Sequence, residues 1–350
     1  MKQIQRRGSS WLVVALVLTA AIAGGIRTVP AAGTLDIYWI DVEGGASTLI
    51  VTPGGGSVLM DAGFGGFDDR DASRIARVVR EDAGLKRLDY VLISHFHGDH
   101  AGGLAALSRQ VEIGSFIDHG DSVEKESGPG KTLWDGYASL AGSRRRIMKP
   151  GERLMLDGAE LVVVAAHSQV LAKPLSDAGP NPLCDSFKAQ AEDRGENGKS
   201  LGYLLRAGKF EFVNLGDLSW NFQHLLACPV NLLGKVDLFQ VTHHGTRDDV
   251  LPQQMWAMAP TVAVMNNGPS KGAGTVAVET VLKSPGLEDL WSLHRALAND
   301  AAHNAPEPLT ANLGDTTGCK GAWIRARVSD AGTYVLTNSR NGHSKTYRVK

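Results

Sequence analysis

Hydrophobic residues along the chain form short apolar runs that alternate with longer helical patterns. Six apolar runs predict β-strands, at residues 35–42, 48–51, 57–60, 90–93, 113–117 and 161–165. A helix is predicted from Asp71, which would cap it, to Gly84, because the apolar positions between them share one helical face. A second helical pattern covers residues 101–109. Strands and helices that alternate in this way are typical of α/β proteins.

The second half of the chain contains the same kinds of segment and a long polar stretch. Residues 201–215 predict a β-hairpin that turns at Gly208. Residues 173–199 are polar and rich in Pro and Gly, which predicts a long loop outside the core. Residues 295–320 look irregular, and residues 323–337 predict a final hairpin. We expect this tail to form a small β appendage on the same domain.

A hexapeptide with three histidines and one aspartate directly follows the apolar run at 90–93. His95 and His97 alternate along an extended segment, so both imidazoles can point toward one metal ion. Asp99 and His100 lie where the chain turns, which suits them to a second ion. Neutral imidazole nitrogens and carboxylate oxygens are the ligands that zinc takes in catalytic sites. The hexapeptide therefore predicts a metal site at the end of a strand.

Four motifs in order resemble the metallo-β-lactamase superfamily over roughly residues 34–270. These are residues 57–63, which end in Asp-x-Gly, the hexapeptide, residues 210–217, which end in Gly-Asp, and residues 237–246, which contain a closing histidine. The resemblance implies a four-layer αββα sandwich. It also implies that Asp217 bridges two metal ions and that His243 is a ligand of the second ion.

Two further motifs resemble one branch of that superfamily. His243 and His244 begin a His-His-Gly-Thr sequence, and Glu196 begins Glu-Asn-Gly-Lys-Ser. Both are similar to hallmarks of the hydrolase domain of competence-type DNA-uptake proteins and of choline-binding phosphodiesterases. The chain thus resembles the stand-alone relatives of that hydrolase domain.

The resemblance implies a hydrolase that holds two Zn²⁺ ions, with Mn²⁺ as the alternative metal. The expected metal ligands are His95, His97, Asp99, His100, Asp217 and His243. Two such ions make a bridging hydroxide available near neutral pH, and Asp99 would act as the catalytic residue that orients it or receives its proton. The expected substrate is a phosphodiester. Lactone or amide hydrolysis is one alternative, and a metal-stabilised binding module without turnover is the other.

The motifs do not assign a single role to the histidines and aspartates outside this ligand set. His167 follows the strand at 161–165, where many superfamily members place a third ligand, but the branch often lacks it, so its role stays open. His119 either lines the pocket or is structural, His244 shapes the pocket or contacts substrate, and Asp61 orients a ligand through a hydrogen bond. We expect surface or solvated positions for His224, His294, His303, His343, Asp237, Asp248 and Asp249.

The composition of the chain is typical of one enzyme domain that carries additional segments. The 350 residues are 43% hydrophobic, which allows a large core, and 41 glycines indicate many tight loops. The formal net charge of −1 at pH 7 gives no overall attraction to nucleic acid, so we expect a small-molecule or phosphoester substrate. The basic residues 144–146 are expected on a solvated surface. The oligomeric state is left open.

The N-terminus predicts export to the periplasm or the extracellular space. Lys2, Arg6 and Arg7 precede the apolar residues 11–23, and small residues follow, which is typical of a signal peptide cleaved after Ala23 or near residues 31–32. An uncleaved anchor is the alternative, and no other transmembrane segment is expected.

The expected domain layout is a signal peptide at 1–32, a hydrolase domain at 33–290 and a C-terminal extension of that domain at 291–350. The chain has three cysteines, Cys184, Cys228 and Cys319. In an exported protein they allow one disulfide and a free thiol, but the sequence does not show which two would pair.

Overall fold

The predicted strands belong to two nine-stranded β-sheets in the computed structural model. The structure describes residue 1 and residues 33–176, 179–246, 249–329 and 331–350. The predicted export segment at 2–32 and Asp248 lie outside the described residues.

Strands and helices follow each other from Leu35 to Arg348 in the described part of the chain. The strands are β1 (Leu35–Trp39), β2 (Thr48–Val51), β3 (Ser57–Met60), β4 (Arg87–Leu92), β5 (Glu112–Asp118), β6 (Arg145–Ile147), β7 (Arg153–Leu156), β8 (Ala159–Ala166), β9 (Gln169–Val170), β10 (Gly202–Ala207), β11 (Phe210–Asn214), β12 (Leu238–Gln240), β13 (Val262–Met265), β14 (Asp289–His294), β15 (Thr310–Asn312), β16 (Ile324–Ser329), β17 (Thr333–Asn338) and β18 (Ser344–Arg348). The α-helices are α1 (Arg70–Arg77), α2 (Gly98–Ala101), α3 (Leu104–Gln110), α4 (Gly128–Ala141), α5 (Trp220–Ala227), α6 (Pro252–Met258) and α7 (Thr275–Leu282).

Each sheet combines an antiparallel part with a parallel part. The first sheet has the order β18-β17-β16-β1-β2-β3-β4-β5-β6 and is parallel from β3 to β6. The second has the order β15-β14-β13-β12-β11-β10-β8-β7, with β9 paired to β8, and is parallel from β11 to β15. Strands in parallel sheets are covered on both faces, which explains the continuous apolar runs in the sequence.

The core between the sheets is formed by alternate side chains of the strands. Ile37 and Trp39 of β1 face this core, whereas Tyr38 between them faces the opposite side of the sheet. Trp39 meets Phe212 of β11 edge to face, with ring centroids 5.5 Å apart. The two sheets therefore pack face to face as a sandwich.

Helices cover the outer face of each sheet. Ile75 of α1, Leu107 of α3 and Tyr137 of α4 are buried against the first sheet. Helices α5, α6 and α7 bury Leu226, Met255 and Val281 against the second. Each buried side chain of this size contributes about 1.5–3 kcal/mol. The four layers are helix, sheet, sheet and helix, so the predicted αββα fold is confirmed.

Two predicted helices differ in detail from the observed ones. The residue before α1 is Asp69, and Asp71 lies inside the first turn, where it accepts the N–H of Phe64 instead of capping the helix. The pattern at 101–109 is divided into α2 and α3 at a glycine pair. A Cβ on Gly103 would lie 2.1 Å from a carbonyl oxygen of the segment before α1, so close packing requires glycine there.

The residues after 290 add strands to both sheets. The predicted hairpin at 323–337 is present as β16 and β17, and β16 pairs with β1. β18, which the pattern did not predict, forms the edge of the first sheet. β15 interrupts the stretch expected to be irregular and pairs with β14 in the second sheet.

The polar stretch at 173–199 contains two short 3-10 helices where it is described, Pro182–Ser186 and Asn197–Lys199. Cys184 forms a disulfide with Cys228 at the end of α5, and Cys319 carries a free thiol. In the described part of the chain, no helix is both long and apolar enough to cross a membrane.

Candidate metal centre

The predicted ligands lie where parallel strands of both sheets end at one edge of the sandwich. The hexapeptide at 95–100 follows β4, Asp217 follows β11, and His243 follows β12. β4 is parallel to β3 and β12 is parallel to β11, so the carboxyl ends of these strands lie at the same edge of each sheet. The sandwich brings these two edges together and makes one cluster of the four motifs.

The carboxylate of Asp217 lies at the centre of the cluster. Its Oδ2 atom is within 4.0 Å of four imidazole Nε2 atoms, at 3.1 Å from His100, 3.4 Å from His243, 3.4 Å from His244 and 4.0 Å from His95. Asp217 is itself buried. This arrangement suits a carboxylate that is shared between ligand sets.

Asp99 forms the second carboxylate of the cluster. Its Oδ2 atom lies 3.4 Å from Nε2 of His100 and 3.3 Å from Nε2 of His244. One ligand atom from each of Asp99, His100, Asp217 and His244 lies within 4.8 Å of all the others. The ammonium of Lys271 also contacts Asp99. These four residues therefore form a compact set of donors.

His95 and His97 flank that compact set. Nε2 of His95 lies 3.0 Å from Nδ1 of His97, and Nε2 of His97 lies 3.6 Å from the carboxylate of Glu124. Burial, together with the neighbouring His100, holds the pKa of His95 well below its usual value. His95 is therefore a neutral imidazole with a lone pair available for a metal ion.

The charges in the cluster match a divalent cation. Burial alone would raise the pKa values of Asp99 and Asp217, but the neighbouring His100 and His244 hold both well below the usual range. Burial lowers the pKa of His100, but Asp217, Asp99 and Asp61 together raise it. Imidazole nitrogens surrounding buried carboxylates are a donor set that zinc accepts.

A layer of hydrogen bonds orients the imidazoles. His100 donates from Nδ1 to Asp61 at 2.8 Å, as expected for Asp61. Ser94 holds the same carboxylate through its backbone N–H and its hydroxyl, at 2.8 and 2.7 Å. Because Nδ1 of His100 is engaged, Nε2 is directed at the cluster, which is how ligand histidines are usually oriented.

The two closing histidines are oriented in the same manner. Nδ1 of His243 lies 2.7 Å from Asp249, which corrects the expectation that Asp249 is solvated. Nδ1 of His244 donates to the backbone carbonyl of Asn266 at 3.2 Å. His244, which we expected only to shape the pocket or contact substrate, therefore lies among the ligand atoms. The sequence signal was the histidine pair itself, which does not show which member faces the cluster.

Glu196 connects the hexapeptide to a neighbouring loop. Its carboxylate accepts the backbone N–H of Phe96 at 3.1 Å and that of Val123 at 3.0 Å. It also accepts Nε2 of His119 at 2.9 Å. His119 is thus a buried, hydrogen-bonded residue, and His167 stacks on it with ring centroids 6.1 Å apart. Neither belongs to the compact set of donors.

Two residues expected at the surface are buried. His294 is fully buried and donates from Nε2 to Asp41 at 2.7 Å. Cys319 lies beside them, and these three groups have ligand atoms within 4.8 Å of one another. Arg74 donates to Asp41 at 2.9 Å, so this carboxylate already has a cationic partner. Asp237, also expected to be solvated, is buried and accepts two backbone N–H groups.

The comparison with known families agrees with the geometry. Residues 40–167 match the family model of the metallo-beta-lactamase superfamily. Residues 40–167 therefore carry a metallo-β-lactamase superfamily domain, as the motifs in this part of the chain predicted. Members of this superfamily are generally metal-dependent hydrolases. The fold implies a divalent metal, typically zinc.

Individual relatives are distant. Recombination protein 2 of Haemophilus influenzae is 24% identical over 237 residues, which is 67% of this chain and 24% of the relative, so the chain spans about a quarter of that relative's length. This similarity supports the resemblance to the DNA-uptake branch. Among solved structures, the metallo-β-lactamase fold protein YhfI from Bacillus subtilis is 11% identical, with 83% of this chain and 99% of that chain covered and a TM-score of 0.46. A metallo-β-lactamase with a HARLDQ motif from Cronobacter sakazakii is 19% identical, with 52% and 60% covered and a TM-score of 0.32.

Proposed function

We propose that the chain is an exported hydrolase that holds two zinc ions and cleaves a phosphodiester. The observation that supports this most strongly is the position of Asp217, whose single carboxylate oxygen has four imidazole nitrogens around it. A carboxylate with ligands on two sides is suited to bridge two ions, whereas a structural metal site needs only one closed set of four ligands.

The ligands divide naturally into two groups around Asp217. We assign His95 and His97 to one ion, and Asp99 and His100 to the other. The last ligand comes from the pair His243 and His244. We add His244 to the ligand set predicted from the sequence, because its Nε2 atom lies 3.3 Å from Asp99. When bound, the ions supply Lewis acidity and a hydroxide near neutral pH, with Mn²⁺ as the alternative metal.

Residues of the chain supply the remaining parts of the reaction. Asp99 is positioned by His100 and His244 to orient the attacking group or to accept its proton. Lys271 contacts Asp99 and keeps 38% of its side chain exposed, so its ammonium can bind a non-bridging oxygen of a phosphodiester. An anionic substrate is therefore matched by a cationic group at the mouth of the site.

Export is supported by the Cys184–Cys228 disulfide, since structural disulfides persist in oxidising compartments. We propose residues 1–32 as the signal peptide and the periplasm or the extracellular space as the destination. We propose residues 33–290 as the hydrolase domain and residues 291–350 as its extension. The pairing of β15 with β14 and of β16 with β1 supports one domain for both parts.

Metal analysis combined with a substrate panel tests this function. Protein purified from zinc-replete cells should contain about two metal equivalents, and it should hydrolyse bis(p-nitrophenyl) phosphate faster than p-nitrophenyl phosphate, a lactone or a β-lactam. The His343→Ala variant, which changes an exposed histidine far from the motifs in sequence, is the control and should match the wild type. If the protein held two metal equivalents but cleaved a lactone or a β-lactam faster than the phosphodiester, the proposed substrate class would be wrong. Absence of bound metal would refute the metalloenzyme.

A further inference from the structure

An apolar groove of about 750 Å³ lies beside the metal centre, between α4 and the segment of α2 and α3. Its exposed or partly exposed walls include Phe64, Ala105, Pro129, Leu133 and Leu140. The volume is in the range of small-molecule sites, which is about 300–1,000 Å³. Apolar surface of this extent next to a polar centre requires an explanation, because exposed apolar patches in soluble proteins are often functional.

The groove is continuous with the candidate metal centre. His97, one of the proposed ligands, and the adjacent Gly98 form part of its lining. Glu124 lines the same end, 3.6 Å from His97. A substrate that reacts at the metal centre can therefore extend a substituent from His97 into the groove without leaving the protein surface.

A cation marks the border between the polar centre and the apolar groove. The ammonium of Lys271 contacts Asp99 on one side and lies 5.4 Å from the ring centroid of Phe64 on the other. Phe64 is a wall of the groove. The surface thus presents ligands for a metal, then a positive charge, then an apolar channel, which matches an anionic ester with an apolar arm.

We propose that this groove binds the apolar alkyl or aryl arm of the phosphodiester substrate. The proposal rests on the proposed function and adds the chemical class of the substituent. Full burial of each methylene would raise kcat/KM about four-fold, and burial in a partly open groove would raise it about two-fold. The value of kcat/KM should therefore depend on the length of the alkyl arm of the substrate.

The direct test uses p-nitrophenyl phosphodiesters whose second ester group is methyl, butyl or octyl. For the wild type, kcat/KM should rise by about two- to four-fold per methylene until the groove is filled. Calorimetry with methyl- and octylphosphonate gives a readout that does not need turnover, and the octyl compound should bind more tightly with a more negative heat-capacity change.

Gly136→Phe offers a variant that fills the groove from α4. Gly136 lines the groove, and a Cβ added there has open space within 4 Å, so the new ring can enter without displacing backbone. Replacing a glycine inside a helix also removes a helix-weakening residue. The variant should lose the preference for the octyl diester over the methyl diester that the wild type shows. Ser139→Phe, on the same helix but outside the lining, is the matched control and should keep the preference.

The outcomes separate this proposal from the proposed function. Hydrolysis of all three diesters at equal kcat/KM, or an equal loss on all three in Gly136→Phe, would refute the groove assignment alone. Failure to hydrolyse any diester would refute the phosphodiesterase, and the calorimetric series would then decide on the groove. A wild-type dimer that Gly136→Phe dissociates, with no dependence on chain length, would assign the groove to a second copy of the chain and overturn the proposal.

Discussion

Asp217→Asn removes the negative charge at the centre of the metal cluster and keeps nearly the same side-chain shape. Four imidazole nitrogens lie within 4.0 Å of the oxygen that loses its charge. An amide binds a divalent cation more weakly than a carboxylate does, and it cannot neutralise two ions. We therefore expect fewer than two zinc equivalents and a large loss of kcat, whatever the substrate.

The magnitude follows from the role of Asp217 as a shared ligand. Bound metal ions supply several kcal/mol of charge stabilisation in the transition state, and losing the shared ligand removes roughly 3–5 kcal/mol of it. At about 1.4 kcal/mol per factor of ten, this corresponds to a loss of roughly a hundred- to a thousand-fold or more in kcat. Metal content is measured by mass spectrometry of the purified protein, and kcat is measured with bis(p-nitrophenyl) phosphate at saturating zinc.

His343→Ala is the control for this measurement, because His343 is exposed and belongs to none of the motifs. It should retain both the metal content and kcat. A thermal unfolding curve for each variant excludes loss of the fold as the cause. If Asp217→Asn kept two zinc equivalents and full kcat, the bridging role would be wrong, and so would the alignment of the second half of the chain with its motif.

Three further variants test residues around the centre. His244→Ala should lose one zinc equivalent and most activity, and normal metal content would leave only a pocket role for it. Asp61→Ala should weaken zinc binding about 10–100-fold, because His100 loses its orienting acceptor, and unchanged affinity in a zinc titration would contradict this. Glu196→Gln should lower the unfolding free energy by about 1–3 kcal/mol at pH 7. Burial raises the pKa of Glu196, but His119 and other donors lower it overall, so its contribution is present above about pH 4.5 and is lost as the pH falls below it. The variant and the wild type should converge in acid, and a constant difference between them would contradict the assignment.

Most of the fold could be predicted because burial leaves a local pattern in the sequence. Strands β1 to β4 appear in the sequence as apolar runs, because the second sheet covers one of their faces and helices cover the other. β18 could not be predicted in this way, because it is an edge strand with the sequence Ser-Lys-Thr-Tyr-Arg and is mostly exposed. The division between α2 and α3 depends on contact with a distant loop, which a helical pattern does not contain.

The candidate site could be predicted where its residues are neighbours in sequence. The hexapeptide at 95–100 shows its ligands directly, because a strand end places them together. The choice between His243 and His244 depends on backbone geometry, with φ angles of 51° and 55° that a sequence pattern does not predict. His294 is buried only because β14 brings it to Asp41, which is 253 positions away. Partners at such separations require the assembled sheets.

X-ray absorption at the zinc edge of the purified, zinc-loaded protein tests the bimetal centre most directly. Two ions that share Asp217 should give a zinc–zinc vector of about 3.5–4 Å, with nitrogen and oxygen as the nearest scattering atoms. The Asp217→Asn protein should lose that vector. A single zinc ion per chain with four protein ligands and no metal–metal vector would contradict the bimetal centre. Sulfur scattering that places the ion beside Cys319 would contradict it as well.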